Sequence, residues 1–126
     1  MDLDRSTTVL QAFSSIEILA GESEYSDIYD LTKSAGNASI QLEVTGNGTA
    51  RVEWVGTNDD TALVTAFITP NNASDIVTAF TKTSGPGSNG KHIYPFGLSL
   101  VKKIAIKVTE TGGVNPVTVT ALLVIQ

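Results

Sequence analysis

The stretch ASIQLEVTGNGTARVEWVG, residues 38–56, decides the fold class of this chain. Apolar and polar residues alternate on both sides of a glycine-rich turn, and this period of two is typical of half-buried strands. Glycines in the turn supply the positive φ angles that a tight hairpin requires. We therefore expect a hairpin with one shared inward face. The residues on that face are Ile40, Leu42, Val44, Val52 and Trp54.

The C-terminal stretch VKKIAIKVTETGGVNPVTVTALLVIQ, residues 101–126, predicts a second hairpin. Its connection is ETGGVNP, in which Pro116 suits the start of a strand that needs no ladder donor. The final strand has apolar residues at alternate positions from Val117 to Ile125, and also Leu122 and Val124 on its opposite side. A strand that is apolar on both faces is either central in a covered sheet or lies against another subunit.

The remaining segments are short, rich in valine, isoleucine and threonine, and separated by turn residues. We expect strands in TTVLQAF, SIEIL, SDIYDLT, ALVTAFIT, DIVTAFTK and HIYPFGLSL. ALVTAFIT and DIVTAFTK could also form helical turns, with Asp75 as a cap. About seven to nine short strands with little helix predict an all-β antiparallel β-sandwich or jelly roll. We expect one domain over residues 13–126, preceded by an arm or first strand over residues 1–12.

Composition excludes several classes of protein. The chain has 126 residues, no cysteine and a formal net charge of −5. No apolar run approaches the roughly 20 residues that span a bilayer, the N-terminus does not read as a secretion signal, and no strongly basic patch predicts nucleic-acid binding. We therefore expect neither a membrane nor a nucleic acid as a partner.

The charges are unevenly distributed along the chain. Residues 1–63 carry eleven acids and three bases, whereas residues 64–126 carry two acids and five bases. Either the two halves interleave in the fold and the charges mix, or the molecule has one acidic and one basic surface. The second arrangement would suit contact with further copies or with an oppositely charged partner.

One stretch, Gly85 to Lys91, matches the first seven positions of a phosphate-binding loop. That site requires a helix after the lysine, and a serine or threonine there to bind magnesium. His92 occupies that position, and Pro95 and Gly97 make the continuation a poor helix. We therefore interpret the stretch as a mobile loop between strands and expect no nucleotide cofactor.

Reactive centres are equally poorly supported. His92 is the only histidine, and a serine triad would need it to pair with Ser88 of the same loop. A composition with no cysteine and one histidine does not support a zinc site. Two acidic stretches, residues 22–27 and 59–60, lack the dense spacing of a calcium loop. We expect no catalytic, cofactor-binding or metal-binding residues, and hence no enzyme.

Two long runs carry a resemblance to a known group of proteins. The first, residues 26–59, begins with SDIYDLTKSAGNASIQLEVTGNG, and the second, residues 74–126, begins with SDIVTAFTKTSGPGSNGKHIYPF. Their features are an extended opening strand, a G-x-G hairpin, a glycine-rich loop before YPF, and a hairpin at IKVTETGG. Over about residues 26–126 the chain resembles small β-sandwich proteins encoded among phage and prophage structural genes. The resemblance implies a virion component made in the host cytoplasm.

These observations predict a non-enzymatic virion protein that acts through its surfaces. We expect a capsid decoration protein that forms homo-oligomers and binds other virion proteins, such as the major capsid protein. One alternative is a protein associated with the tail, neck or baseplate. A second is a carbohydrate-binding β-sandwich module, which requires exposed tyrosines or a groove with convergent polar groups. The candidate interface residues are Leu3, Val9, Leu10, Leu122 and Val124.

Overall fold

The computed structural model describes residues 7–31, 36–58, 75–98 and 102–126. Every regular element in these ranges is a strand, which confirms the all-β class. The strands are β1 (Thr8–Ile18), β2 (Ser23–Tyr25), β3 (Tyr29–Asp30), β4 (Asn37–Gly46), β5 (Ala50–Thr57), β6 (Asp75–Phe80), β7 (Lys91–Gly97), β8 (Lys103–Glu110) and β9 (Val117–Ile125). In these ranges there is no helix of the length and hydrophobicity needed to cross a membrane.

The strands form two antiparallel sheets that pack face to face. Sheet A has the order β1-β9-β4-β7, and sheet B has the order β2-β8-β5-β6, with β3 also paired to β8. The inward side chains of both sheets form one core, as expected for an aligned sandwich. Trp54 lies in this core with 2% of its surface exposed, as its position in the alternation predicts. The antiparallel β-sandwich is therefore confirmed.

The predicted hairpin over residues 38–56 is wrong in its pairing. β4 lies in sheet A between β9 and β7, whereas β5 lies in sheet B between β8 and β6. The glycine-rich turn therefore crosses from one sheet to the other. Ile40 and Trp54 are both buried, as predicted, but on facing sheets. Period two fixes which side of a strand faces the core, and it is the same whether consecutive strands pair or oppose each other across that core.

The second predicted hairpin has the same error, since β8 belongs to sheet B and β9 to sheet A. Its connection packs against the β4–β5 turn. The amide of Gly48 donates to the carbonyl of Pro116 at 3.0 Å, and the amide of Thr111 donates to the carbonyl of Thr49 at 2.9 Å. A Cβ on Gly48 would lie 2.6 Å from the carbonyl oxygen of Asn115, so only glycine permits this approach.

Glu110 joins the turns at this end of the sandwich. Its side chain is completely buried, and its carboxylate accepts four backbone hydrogen bonds of 2.7 to 3.0 Å. The amide donors belong to Gly21, Thr49, Gly112 and Gly113. These bonds, led by the one from Thr49, lower the pKa of Glu110 to about 2 against the opposing effect of burial. The buried carboxylate is thereby stabilised by four hydrogen bonds, which link the β1–β2, β4–β5 and β8–β9 connections.

Several strand predictions are refined. TTVLQAF and SIEIL form one strand, β1, which is interrupted by register shifts after Gln11 and after Phe13. Ser15 in the second shift has a φ of 50°. Asp75 starts strand β6 and does not cap a helix. ALVTAFIT, the acids at 59–60 and residues 1–6 of the proposed arm lie outside the described residues.

The two halves of the chain interleave, so the charges mix. In each sheet, strands from the acidic first half alternate with strands from the basic second half. Glu43 lies opposite Lys91, and Glu53 opposite Lys107. Arg51 of the first half binds Asp75 of the second at 2.7 Å. Among the described residues, separate acidic and basic surfaces therefore do not form.

Candidate functional site

The glycine-rich loop, residues 81–90, leads from sheet B into sheet A. Lys91 begins strand β7, so the helix that a phosphate-binding loop requires does not follow. Composition predicts a mobile loop, but the backbone is tied by hydrogen bonds. The amide of Gly90 donates to Ser84 at 2.8 Å, and that of Ser88 donates to Gly85 at 3.0 Å.

The loop is also fixed to its neighbours. The carbonyl of Gly90 accepts from the amide of Val44 at 2.9 Å, which docks the loop on β4. A Cβ on Gly90 would lie 2.5 Å from the Val44 carbonyl oxygen, and the φ of Gly90 is +75°. Lys82 donates from Nζ to Oδ1 of Asn47 at 2.6 Å, which ties the loop to the β4–β5 turn. The conformation of the loop is therefore fixed by hydrogen bonds to β4 and to the β4–β5 turn.

The hydroxyl and imidazole groups near the loop do not form a catalytic pair. No hydrogen bond joins Ser88 to His92, and His92 instead meets the Tyr94 ring edge-on at 4.2 Å between centroids. Within the described ranges, no three histidine or acidic side chains lie close enough to hold a metal ion. In the acidic stretch at residues 22–27, which lacks the spacing of a calcium loop, Glu24 lies on exposed strand β2.

The tyrosines do not form a common platform. Tyr29 and Tyr94 pack against the core, and burial raises the pKa of both. Tyr94 also meets Phe80 edge-on at 6.0 Å. Tyr25 is 40% exposed and lies on sheet B, with Nζ of Lys107 5.5 Å from its ring centroid. Stacked sugar recognition by these three rings is thus not supported.

Sheet A presents an apolar strip on its outer face. β9 is central in this sheet, and its pairing register aligns Val9 with Val124 and Gln41 with Leu122. Leu122 and Val124 are half-buried on the side opposite the core. Their neighbours across the sheet are more exposed. We call the set Val9, Ile93, Pro95, Leu122 and Val124 the outer strip.

The exposure of the outer strip is substantial, since 63% of Val9 and 56% of Ile93 are accessible. Two of the five predicted interface residues, Leu10 and Leu3, are not part of the outer strip. Leu10 pairs with Leu123 and packs against the core, so it lies on the inner face. Leu3 lies outside the described residues. The role of Val9, Leu122 and Val124 in an interface stays a prediction.

Both edges of sheet A are poorly suited to further strand pairing. The edge strand β1 carries two register shifts, and the edge strand β7 contains Pro95, which has no amide donor. Bulges and proline are common means of blocking edge-to-edge association. Association by adding a strand to either edge of sheet A is therefore disfavoured.

A groove lies beside the outer strip, where the glycine-rich loop overhangs β4 and β7. Its volume is about 520 Å³. Polar side chains from three elements converge on it, together with the apolar Pro86 and Ile93. The polar lining residues are Gln41, Glu43, Asn89, Lys91 and His92. Sequence reasoning singled out the loop but missed Gln41 and Glu43, because an outward polar residue on a strand carries no signal of its own.

Comparison with known proteins supports the fold. No protein-family model matches the chain, and no curated protein matches it. Among solved structures, it is similar to the CBM36-1 domain of a multidomain xylanase from the hindgut metagenome of Trinervitermes trinervoides, with a TM-score of 0.50 and 12% identity over 94% of this chain and 96% of that one.

Two further structures have TM-scores below 0.5. The SPBc2 prophage-derived protein YomS has a TM-score of 0.45 and 14% identity, with 98% of each chain covered. VP2 of the infectious bursal disease virus subviral particle has a TM-score of 0.48 and 11% identity, with 94% of this chain and 32% of that one covered. At such identities, what the comparisons establish is a β-sandwich fold.

Proposed function

We propose that this chain is a non-enzymatic structural protein of a phage particle, and specifically a capsid decoration protein that attaches through the outer strip of sheet A. The observation that carries the proposal is the outer strip itself. Three of its members lie on β1 and β9 and two on β7, and the uncharged side chains of Ser39 and Gln41 on β4 lie between the two groups. Exposed apolar patches of this kind typically mark interaction sites.

The distribution of polar groups around the strip supports a protein partner. No charged residue occupies the two rows that contain the strip, whose other members are Gln11, Ser39 and Gln41. Glu43 and Lys91 lie one row beyond, towards the loop. An apolar centre depleted of charge, with charges at its rim, is the usual composition of a protein interface.

The strand order adds support at the level of the fold. If β2 and β3 count as one interrupted strand, the sheets β1-β9-β4-β7 and β2-β8-β5-β6 have the winding of an eight-stranded jelly roll. Viral capsid domains commonly have this fold, but lectins share it, so it supports the proposal only by analogy. The resemblance to phage-encoded sandwich proteins points the same way.

The proposal is tested by counting copies of the chain in purified particles by quantitative mass spectrometry. A decoration protein should be present in hundreds of copies, in a fixed ratio to the major capsid protein. Six or twelve copies would favour the tail, neck or baseplate alternative. Absence from the particles would refute a structural role in the virion.

A clamping role has its own test. A protein that binds only the assembled lattice stabilises it by mass action. Particles stripped of the chain should therefore lose resistance to heat, and adding the protein back should restore it. If stripped particles are as resistant as intact ones, the protein does not clamp the lattice.

A further inference from the structure

The groove beside the outer strip has the features of a ligand site, and it shares Ile93 with the strip. β4 contributes Gln41 and Glu43, β7 contributes Lys91, and the glycine-rich loop contributes Asn89. The strands hold their three side chains on the outer face, since Gln41 lies opposite Ile93 and Glu43 opposite Lys91. The groove is therefore formed by two paired strands and by a loop that is itself hydrogen-bonded to β4.

The polar side chains in the groove are available to a ligand. Neither Glu43 nor Lys91 forms a salt bridge with any described residue, although they are cross-strand neighbours. Asn89 accepts a hydrogen bond from the amide of Lys91 at 3.2 Å through Oδ1, which leaves its amide nitrogen as a donor. The groove thus offers a carboxylate acceptor, an ammonium donor and amide groups within one volume of about 520 Å³.

An anion is a poor match for this groove, despite the resemblance of the loop to a phosphate-binding sequence. Anion sites of that kind use free backbone amides. In this loop the amides of Ser88 and Gly90 donate to carbonyls within the loop, and that of Lys91 donates to Asn89. The carboxylate of Glu43 beside Lys91 further offsets the positive charge that an anion would need.

We propose that this groove binds a neutral oligosaccharide. Vicinal hydroxyls donate and accept together, and they match a mixed set of carboxylate, ammonium and amide groups without requiring a net charge. The apolar surfaces of Ile93 and Pro86 suit the C–H faces of sugar rings. The volume lies within the range of small-molecule sites, which is about 300–1,000 Å³. This proposal does not depend on the outer strip being an interface.

The test is a titration of the ¹⁵N-labelled protein with defined probes, followed by NMR amide shifts. The neutral probes are cellotriose, maltotriose, mannotriose and N-acetylchitotriose. Sialyllactose and a sulfated trisaccharide form the anionic arm, and a peptide of residues 1–10 of this chain forms the polypeptide arm. We expect at least one neutral trisaccharide to shift the amide signals of Gln41, Asn89 and Lys91.

Substitutions locate the site. Gln41→Ala and Lys91→Ala should each weaken binding of that trisaccharide by about tenfold, the effect of losing one or two hydrogen bonds to the ligand. Glu24→Ala on exposed strand β2 is the control and should bind as the wild type does. All three positions are exposed strand residues, and equal thermal midpoints would show that the variants fold.

The contradicting outcomes are distinct. The proposal fails if no neutral trisaccharide shifts the spectrum at about 10 mM, a concentration that detects even very weak binding. It also fails if the shifts lie away from the groove, if only the anionic probes bind, or if the peptide binds there and the sugars do not. None of these results depends on the copy number in particles, so failure of the saccharide site and failure of the virion role can be told apart.

Discussion

The carboxylate of Glu110 accepts a hydrogen bond of 2.7 Å from the backbone amide of Gly113, in the connection that follows its own strand. The same carboxylate is bound by Thr49 from the β4–β5 turn at 2.9 Å and by Gly21 from the β1–β2 connection at 3.0 Å. One buried side chain thereby organises three crossings between the sheets. The first prediction concerns the stability that this arrangement provides.

Glu110→Gln should destabilise the protein by about 2–6 kcal/mol. In glutamine an NH₂ group replaces one carboxylate oxygen, and this group donates hydrogen bonds instead of accepting them. About two of the four backbone amides would therefore lose their acceptor, at a cost of about 1–3 kcal/mol each. The measurement is urea denaturation at pH 7. Glu24→Gln, at an exposed position, is the control and should change the free energy of unfolding by less than about 0.5 kcal/mol. Equal effects at the two positions would contradict the role of Glu110.

The stability contributed by Glu110 should depend on pH in acid. Its pKa of about 2 in the folded state is below the ordinary value of 4.5, so the unfolded chain takes up the proton first. The contribution is therefore complete above about pH 4.5 and is lost as the pH falls towards 2. Urea denaturation between pH 6 and 2 should show a decline in wild type that is smaller in Glu110→Gln. A Glu110 carboxyl that titrates near pH 4.5 by NMR would contradict this prediction.

The third prediction concerns the packing of the β4–β5 turn against the β8–β9 connection. Gly48→Ala should destabilise the protein by about 1–3 kcal/mol, because its Cβ would press on the backbone of Asn115 and Pro116. Gly97→Ala is the matched control, since nothing lies within 4 Å of its Cβ position. Thermal unfolding of both variants provides the comparison. If Gly48→Ala is as stable as Gly97→Ala, the two crossings do not pack as described.

In the absence of particles, the outer strip that is proposed to attach to the capsid should be exposed and should drive self-association of the free protein. Leu122→Asp and Val124→Asp each place a charge at the centre of the strip, and a buried unpaired charge opposes an interface strongly. We expect sedimentation velocity to show an oligomer for wild type and smaller species for both variants. Thr78→Asp, at an exposed position on sheet B, is the control and should sediment as wild type does. If wild type and the strip variants sediment as one species, the strip does not mediate self-association.

The sequence predicts which residues are buried better than it predicts which strands pair. The alternation places Ile40, Leu42 and Trp54 in the core, where the structure has them. It cannot distinguish a hairpin from a crossing between sheets, because both arrangements present the same side of each strand to the core. The glycine at position 48 is required for close approach of two backbones, and not for a hairpin turn.

The residues of the outer strip and the role of Glu110 can be predicted from the sequence only in part. The two-sided pattern of β9 identifies Leu122 and Val124 as residues of a second apolar face, and the structure places them on the outer face of a central strand. Ile93 and Pro95 join them through pairing of β4 with β7, which local sequence does not reveal. Glu110 likewise looks in the sequence like an ordinary polar residue at a strand end, because two of its four amide partners, Gly21 and Thr49, come from connections that are distant along the chain.

The most direct test of the central claim is rebinding to stripped particles. Wild-type protein and Val124→Asp, with Thr78→Asp as control, are added to particles from which the native chain has been removed, and bound copies are counted. The account predicts that wild type and Thr78→Asp restore the original copy number and that Val124→Asp does not bind. Equal rebinding of Val124→Asp, in a variant that folds normally, would contradict attachment through the outer face of sheet A.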